Sequence, residues 1–81
     1  MGGGAAGITA DDDHAAALLT IHLCGYRSPC RARHCSRTAA VVLAKAESNG
    51  RFLRQIELCD AHGDVVVARE RAHGLAIADR R

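Results

Sequence analysis

Two pairs of metal-ligating side chains stand out in the chain, Cys30-x4-Cys35 and Cys59-x2-His62. Thiolate sulfur and imidazole nitrogen are the donors that zinc takes in structural sites, four of them in a tetrahedron at about 2.0–2.3 Å. A short loop can turn two cysteines toward one point, and two residues three apart on a first helical turn face the same way. The expected chemistry is ligation of one structural Zn2+ by Cys30, Cys35, Cys59 and His62. Four protein ligands leave no open position for water, so catalysis by this metal is not expected. Neither paired carboxylates nor a nucleophile–base arrangement supplies another catalytic centre, and the chain is expected not to be an enzyme.

The neighbouring candidates each have a simpler reading. Cys24 could replace Cys30 as a ligand, but Cys24-x5-Cys30 is a looser spacing. A free cysteine is otherwise commonly a small buried hydrophobe. His34 adjoins Cys35 and should face solvent, and His22 lies in an apolar run where a partly buried histidine is the ordinary outcome. His14 and His73 fall at expected helix ends, and a histidine near a helix C-terminus complements the dipole.

A staple is needed because the chain is small and its apolar residues are smaller still. It has 81 residues, 48% of them hydrophobic, yet its aromatics are only Tyr26 and Phe52 and much of the rest is alanine. A domain of this size buries only about 60% of its unfolded surface, and burial stabilises by about 25 cal/mol per Å². Metals, disulfides or a partner subunit usually supply what is missing. Disulfides require an oxidising compartment. Acidic Asp11–Asp13 stands where a secretory signal would carry basic residues. The apolar run from Ala15 to Leu23 is too short to span a bilayer, and Ala6 occupies the position where myristoylation expects Ser or Thr. The expectation is a cytoplasmic protein with reduced thiols and no membrane association.

The elements that must position the ligands follow from pattern and punctuation. Residues 1–13 read as a flexible acidic tail, and 14–81 as a single metal-binding domain. His14 to Leu23 suggests a short helix, or equally a strand leading into Cys24. Residues 24–37 form an irregular loop. Thr38–Glu47 and Phe52–Leu58 predict a β-hairpin about Asn49-Gly50, a sequence that favours a two-residue type I′ turn. That centring pairs Val41 with Leu58, Leu43 with Ile56, Ala46 with Leu53, and Lys45 with Arg54. A helix running to about His73 follows Cys59, with Asp60 as its N-cap, Ala61, Val65, Ala68 and Ala72 on one face, and Gly74 at the left-handed position that ends it. Val65-Val66-Val67 favours a strand instead, which would make the fold a three-stranded zinc ribbon. Leu75-Ala76-Ile77 predicts a short last strand, and Ala78–Arg81 an exposed basic end.

This order of elements resembles the treble-clef group of zinc folds, with a cysteine knuckle, a β-hairpin and a helix whose first turn carries the last two ligands. It is also similar to a class of small, largely uncharacterised bacterial zinc-binding proteins. There a C-x4-C knuckle is followed by x-R-x-A, a hairpin, and L-C-x-x-H entering a helix. The matching residues are Cys30–Cys35, Ser36-Arg37-Thr38-Ala39 and Leu58-Cys59-Asp60-Ala61-His62. The resemblance covers residues 30 to about 81 and implies an α+β fold and metal binding, but no reaction. Gly63, inside the helix start, departs from that pattern.

Charge suggests a working surface. The net charge is +2, yet all 11 basic residues lie at or beyond Arg27, and ten of them are arginine. Arg27, Arg31, Arg33 and Arg37 crowd the knuckle with no acid among them. Guanidinium groups bind phosphate oxygens bidentately, which points to nucleic acid as a partner. The alternative is a solvated loop that offsets the negative charge of a tris-thiolate site, in a protein-interaction or adaptor module without nucleic-acid affinity. Base stacking is not expected, because it needs aromatic platforms and only Tyr26 is near.

Overall fold

The structure, a computed structural model, describes residues 16–81. The tail expected over 1–13 lies outside the described residues, as do His14 and Ala15. Chain order is β1 (Leu18–Leu23), β2 (Val41–Ala46), β3 (Phe52–Leu58), α1 (Asp60–Ala72) and β4 (Ala76–Asp79). The result is an α+β fold: one helix and a mixed four-stranded sheet in the order β3-β2-β1-β4. β2 is antiparallel to β1 and β3, whereas β4 lies parallel to β1.

Of the two readings open for the stretch before Cys24, the strand is the one that forms: Leu18–Leu23 is an interior strand of the sheet. Tertiary pairing overrides the helix propensity of the leucines here, because the strand has partners on both sides. Leu19 and Ile21 point into the core at 1% exposure each, while Leu18 and Thr20 between them are half-buried. This alternation is the strand period. At the other edge β4 is two residues longer than the expected strand at its end, and Ala78 is half-buried rather than exposed.

The hairpin forms in the expected register from Val41↔Leu58 to Lys45↔Arg54. β2 itself is shorter than expected: Thr38 only bridges to Pro29, closing the knuckle. The turn also differs. Gly50 donates its N–H to Glu47 O at 2.9 Å and has φ +90°, whereas Asn49 keeps a negative φ. This is a three-residue loop, Ser48-Asn49-Gly50, of the kind built on a type I turn with a glycine bulge. Asn49 Oδ1 accepts from Arg51 N–H at 2.8 Å, which favours this turn over type I′. In consequence Ala46 pairs with Phe52 rather than Leu53, and the register shifts between Lys45 and Ala46.

Val65–Val67 is helical, so the three-stranded ribbon is excluded. Cys59, not Asp60, holds the N-cap position, with extended backbone (ψ 167°) and no side-chain cap bond. Asp60 instead supplies negative charge to the first turn. The buried face is also not the expected one. Ala61, Val65, Ala68 and Ala72 are exposed, and Gly63, Val66, Val67 and Glu70 face the sheet. Alanines were an ambiguous guide, since their burial gains little and either stripe has helical spacing. The C-terminus ends as expected in left-handed Gly74, with Leu75 N–H bonded to Glu70 O and Gly74 N–H to Arg71 O.

Candidate metal centre

The four residues picked out by spacing converge. Cys30, Cys35, Cys59 and His62 place their ligand atoms within 4.8 Å of one another, and no other such group occurs among the described residues. The Cys35 and Cys59 sulfurs are 4.0 Å apart, and His62 Nδ1 lies 3.6 Å from Cys30 Sγ and 3.2 Å from Cys59 Sγ. Donors about 2.3 Å from a tetrahedral ion are separated by about 3.7 Å, so these spacings suit a single four-coordinate metal. The set is three soft sulfurs and an imidazole, the donors of zinc and related thiophilic metals.

Each candidate ligand is held by backbone geometry. The knuckle is a small loop closed by Cys30 N–H to Arg37 O at 2.8 Å and Ala39 N–H to Ser28 O at 2.8 Å. Arg31 N–H to Glu57 O, 2.9 Å, ties it to the end of β3. His34 takes a left-handed φ of 60° to let the loop turn between its two cysteines. Cys59 leaves β3 and His62 lies in the first turn of α1, so the hairpin delivers the second pair beside the first. Gly63 makes this docking possible. It is buried, and a Cβ there would stand 2.8 Å from Val41 Cγ2, so only glycine lets the helix lie this close to β2.

The thiols are electrostatically unequal. Burial pushes Cys30 up, but N–H donors from Cys59 and Ala32, together with hydrogen bonds from the Cys35 and Cys59 thiols, outweigh it and bring its pKa down to about 6. Cys35 receives the Arg37 N–H, which lowers it, yet burial and the neighbouring Cys30 and Cys59 thiols hold it above the ordinary thiol range. Such N–H···S bonds orient ligands and spread the negative charge of a thiolate site.

The candidates outside the set fall away. Cys24 does not join the cluster, and its Sγ bonds to Tyr26 O at 3.1 Å. His34 is exposed as expected, whereas His22, expected to be partly buried, is also exposed because it stands near the end of β1. Arg27, Arg31, Arg33 and Arg37 are all exposed on the knuckle. The structure adds an acid that the linear sequence kept apart from them: Glu57 Oε2 accepts from Tyr26 Oη at 2.5 Å, and the Arg31 charge reaches the same carboxylate. That bond lowers the Glu57 pKa and pushes Tyr26 up to about 12. Only the path of the knuckle over β3 reveals this pairing. Lys45–Glu70, 3.1 Å across the core, was equally hidden, although the mismatch of Lys45 opposite Arg54 signalled a need for a distant acid.

Comparison of the chain with protein-family models, with curated proteins and with solved structures finds no match. No helix among the described residues is long and apolar enough to cross a membrane.

Proposed function

We propose that the chain is a small treble-clef-like zinc module of the cytoplasm that contacts nucleic acid through its arginine-bearing knuckle. The observation that carries this reading is a division of labour within one loop. Residues 27–37 turn Cys30 and Cys35 inward to the metal cluster and leave Arg27, Arg31, Arg33 and Arg37 exposed. Zinc is the metal favoured by the donor set and by the need for a staple in so small a core. With all four positions filled by protein, the ion holds the fold and has no catalytic role.

Arginine contacts to phosphate give affinity without sequence discrimination. Each contact adds about 0.9 to the slope of log affinity against log salt. The test begins with native mass spectrometry before and after chelation, then fluorescence anisotropy of a labelled duplex titrated with salt. Expected are one zinc per chain, unfolding on its removal, and a salt slope that falls by about 1 for each knuckle arginine changed to alanine. Absence of duplex binding at low salt would favour the second reading, a protein-interaction module. Leu23 and Phe52, exposed at 66% and 58%, favour that reading among the observations.

A further inference from the structure

The three sulfurs of the cluster are not equally open. Cys30 and Cys59 are buried at 4% and 3% exposure, whereas Cys35 is only half-buried, between exposed neighbours on the knuckle. Its Sγ lies 4.0 Å from Cys59 Sγ, so little movement separates the two from a bond. Resting on the metal-site reading above, we infer that the cluster is also a peroxide-sensitive switch, in which oxidation joins Cys35 to Cys59 and expels the metal.

Access, partner and consequence each point this way. A coordinated thiol is deprotonated, and the thiolate is the reactive form. Oxidation-sensitive cysteines combine that form with solvent access and a second thiol close by. Cys35 has the access, and Cys59 is the thiol beside it. Cys30 is a poorer partner, since it is buried and its sulfur is held by N–H donors from Cys59 and Ala32. Cys24 stands outside the cluster, with its Sγ turned to Tyr26 O at 3.1 Å. In the first step the Cys35 thiolate attacks one oxygen of hydrogen peroxide; the O–O bond breaks, a sulfenic acid forms and hydroxide leaves. The Cys59 thiolate then attacks the Cys35 sulfur, forming the S–S bond and breaking the S–O bond as a second hydroxide leaves. Two electrons pass from the sulfurs to the peroxide, and two protons from solvent complete two waters. Only Cys30 and His62 then remain as ligands, too few for a closed zinc site. The new bond ties the same two elements that the metal ties, the knuckle and the β3–α1 junction, so reduction restores the site.

The zinc-loaded full chain is treated with hydrogen peroxide, and released zinc is read with a chromophoric chelator. Free thiols are then blocked and tryptic peptides are mapped by mass spectrometry without reduction. Trypsin separates the four cysteines: Cys24 falls within residues 1–27, Cys30 within 28–31, Cys35 within 34–37 and Cys59 within 55–69. Expected are loss of zinc in step with disulfide formation, a cross-link between peptides 34–37 and 55–69, and zinc uptake regained after a phosphine reductant. Cys24→Ser, which keeps every candidate ligand, should leave both the release and the cross-link unchanged. Zinc retained at millimolar peroxide with its thiols intact, a cross-link between any other pair, sulfinic acid without a disulfide, or failure to reload zinc after reduction would each overturn the inference. A chain that carries no zinc as purified would overturn the metal reading instead, and the same peptide map would still decide the Cys35–Cys59 link.

Discussion

Changing Gly63 to alanine sets two effects of opposite sign against each other. Alanine in place of glycine inside a helix normally stabilises by about 1 kcal/mol. Here the new methyl would lie 2.8 Å from Val41 Cγ2 and 3.9 Å from Leu43 Cδ1. Val41 is 1% exposed on an interior strand, and its branched side chain has little rotamer freedom to move aside. Overpacking of this kind costs about 1–3 kcal/mol. The net expectation is a loss of about 1 kcal/mol, or a melting temperature lower by about 4–8 °C in a domain this small. The shift should be measured by thermal and denaturant unfolding at a fixed free zinc concentration, so that metal linkage is constant. Because the same helical turn carries His62, metal affinity measured by competition with a chelating dye should fall as well. Val41→Ala made in the Gly63→Ala background should recover room, with a favourable coupling of about 1 kcal/mol in the double-mutant cycle. If Gly63→Ala instead stabilises as an ordinary helix glycine would, the helix does not rest on Val41 and the docking described above is wrong.

The remaining predictions concern the ligands and the two hidden pairs. Serine at Cys30, Cys35 or Cys59, or alanine at His62, should abolish stoichiometric metal by mass spectrometry, whereas Cys24→Ser should retain it. His34→Gly should keep metal and raise stability in denaturant titration by about 1 kcal/mol, since φ is 60° there. Tyr26 is the sole tyrosine, and its ultraviolet titration should centre at about 12 and return toward 10 in Glu57→Gln. A raised tyrosine pKa stabilises the fold below pH about 10, and that contribution is lost as pH climbs toward about 12. Glu70→Gln should destabilise the protein by about 3 kcal/mol by removing the buried carboxylate 3.1 Å from Lys45, while the double change Lys45→Met, Glu70→Leu should cost less in the same unfolding assay.

Much of the site was legible because its information is local. The Leu58-Cys59-Asp60-Ala61-His62 run carries two ligands and the strand-to-helix junction that aims them. The C-x4-C loop carries the other two, and alternating apolar residues set most of the hairpin register. Where local signals were balanced, reading failed. The stretch before Cys24 had both helix and strand character, and only pairing on both sides made it a strand. The alanines of α1 marked a stripe that proved to be the wet one, because the helix position is set by Gly63 against Val41 and by Glu70 against Lys45. The turn at Asn49-Gly50 formed with one more residue than its dipeptide suggested, since its geometry is shared with a bulge in the strand that follows.

The sequence by itself determined the candidate ligand types, their pairing across a hairpin, the exposure of the knuckle arginines and the glycine that ends the helix. Each depends on neighbours a few residues apart, whose chemistry and backbone preferences act before the chain folds back on itself. The tertiary structure alone decided which helix face is buried, the place of β1 between β2 and β4, and the Tyr26–Glu57 and Lys45–Glu70 pairs. These depend on distances between residues about 20 to 60 apart in the chain. Small side chains leave such distances weakly encoded, because burial of alanine favours one packing over another by too little to be read in advance.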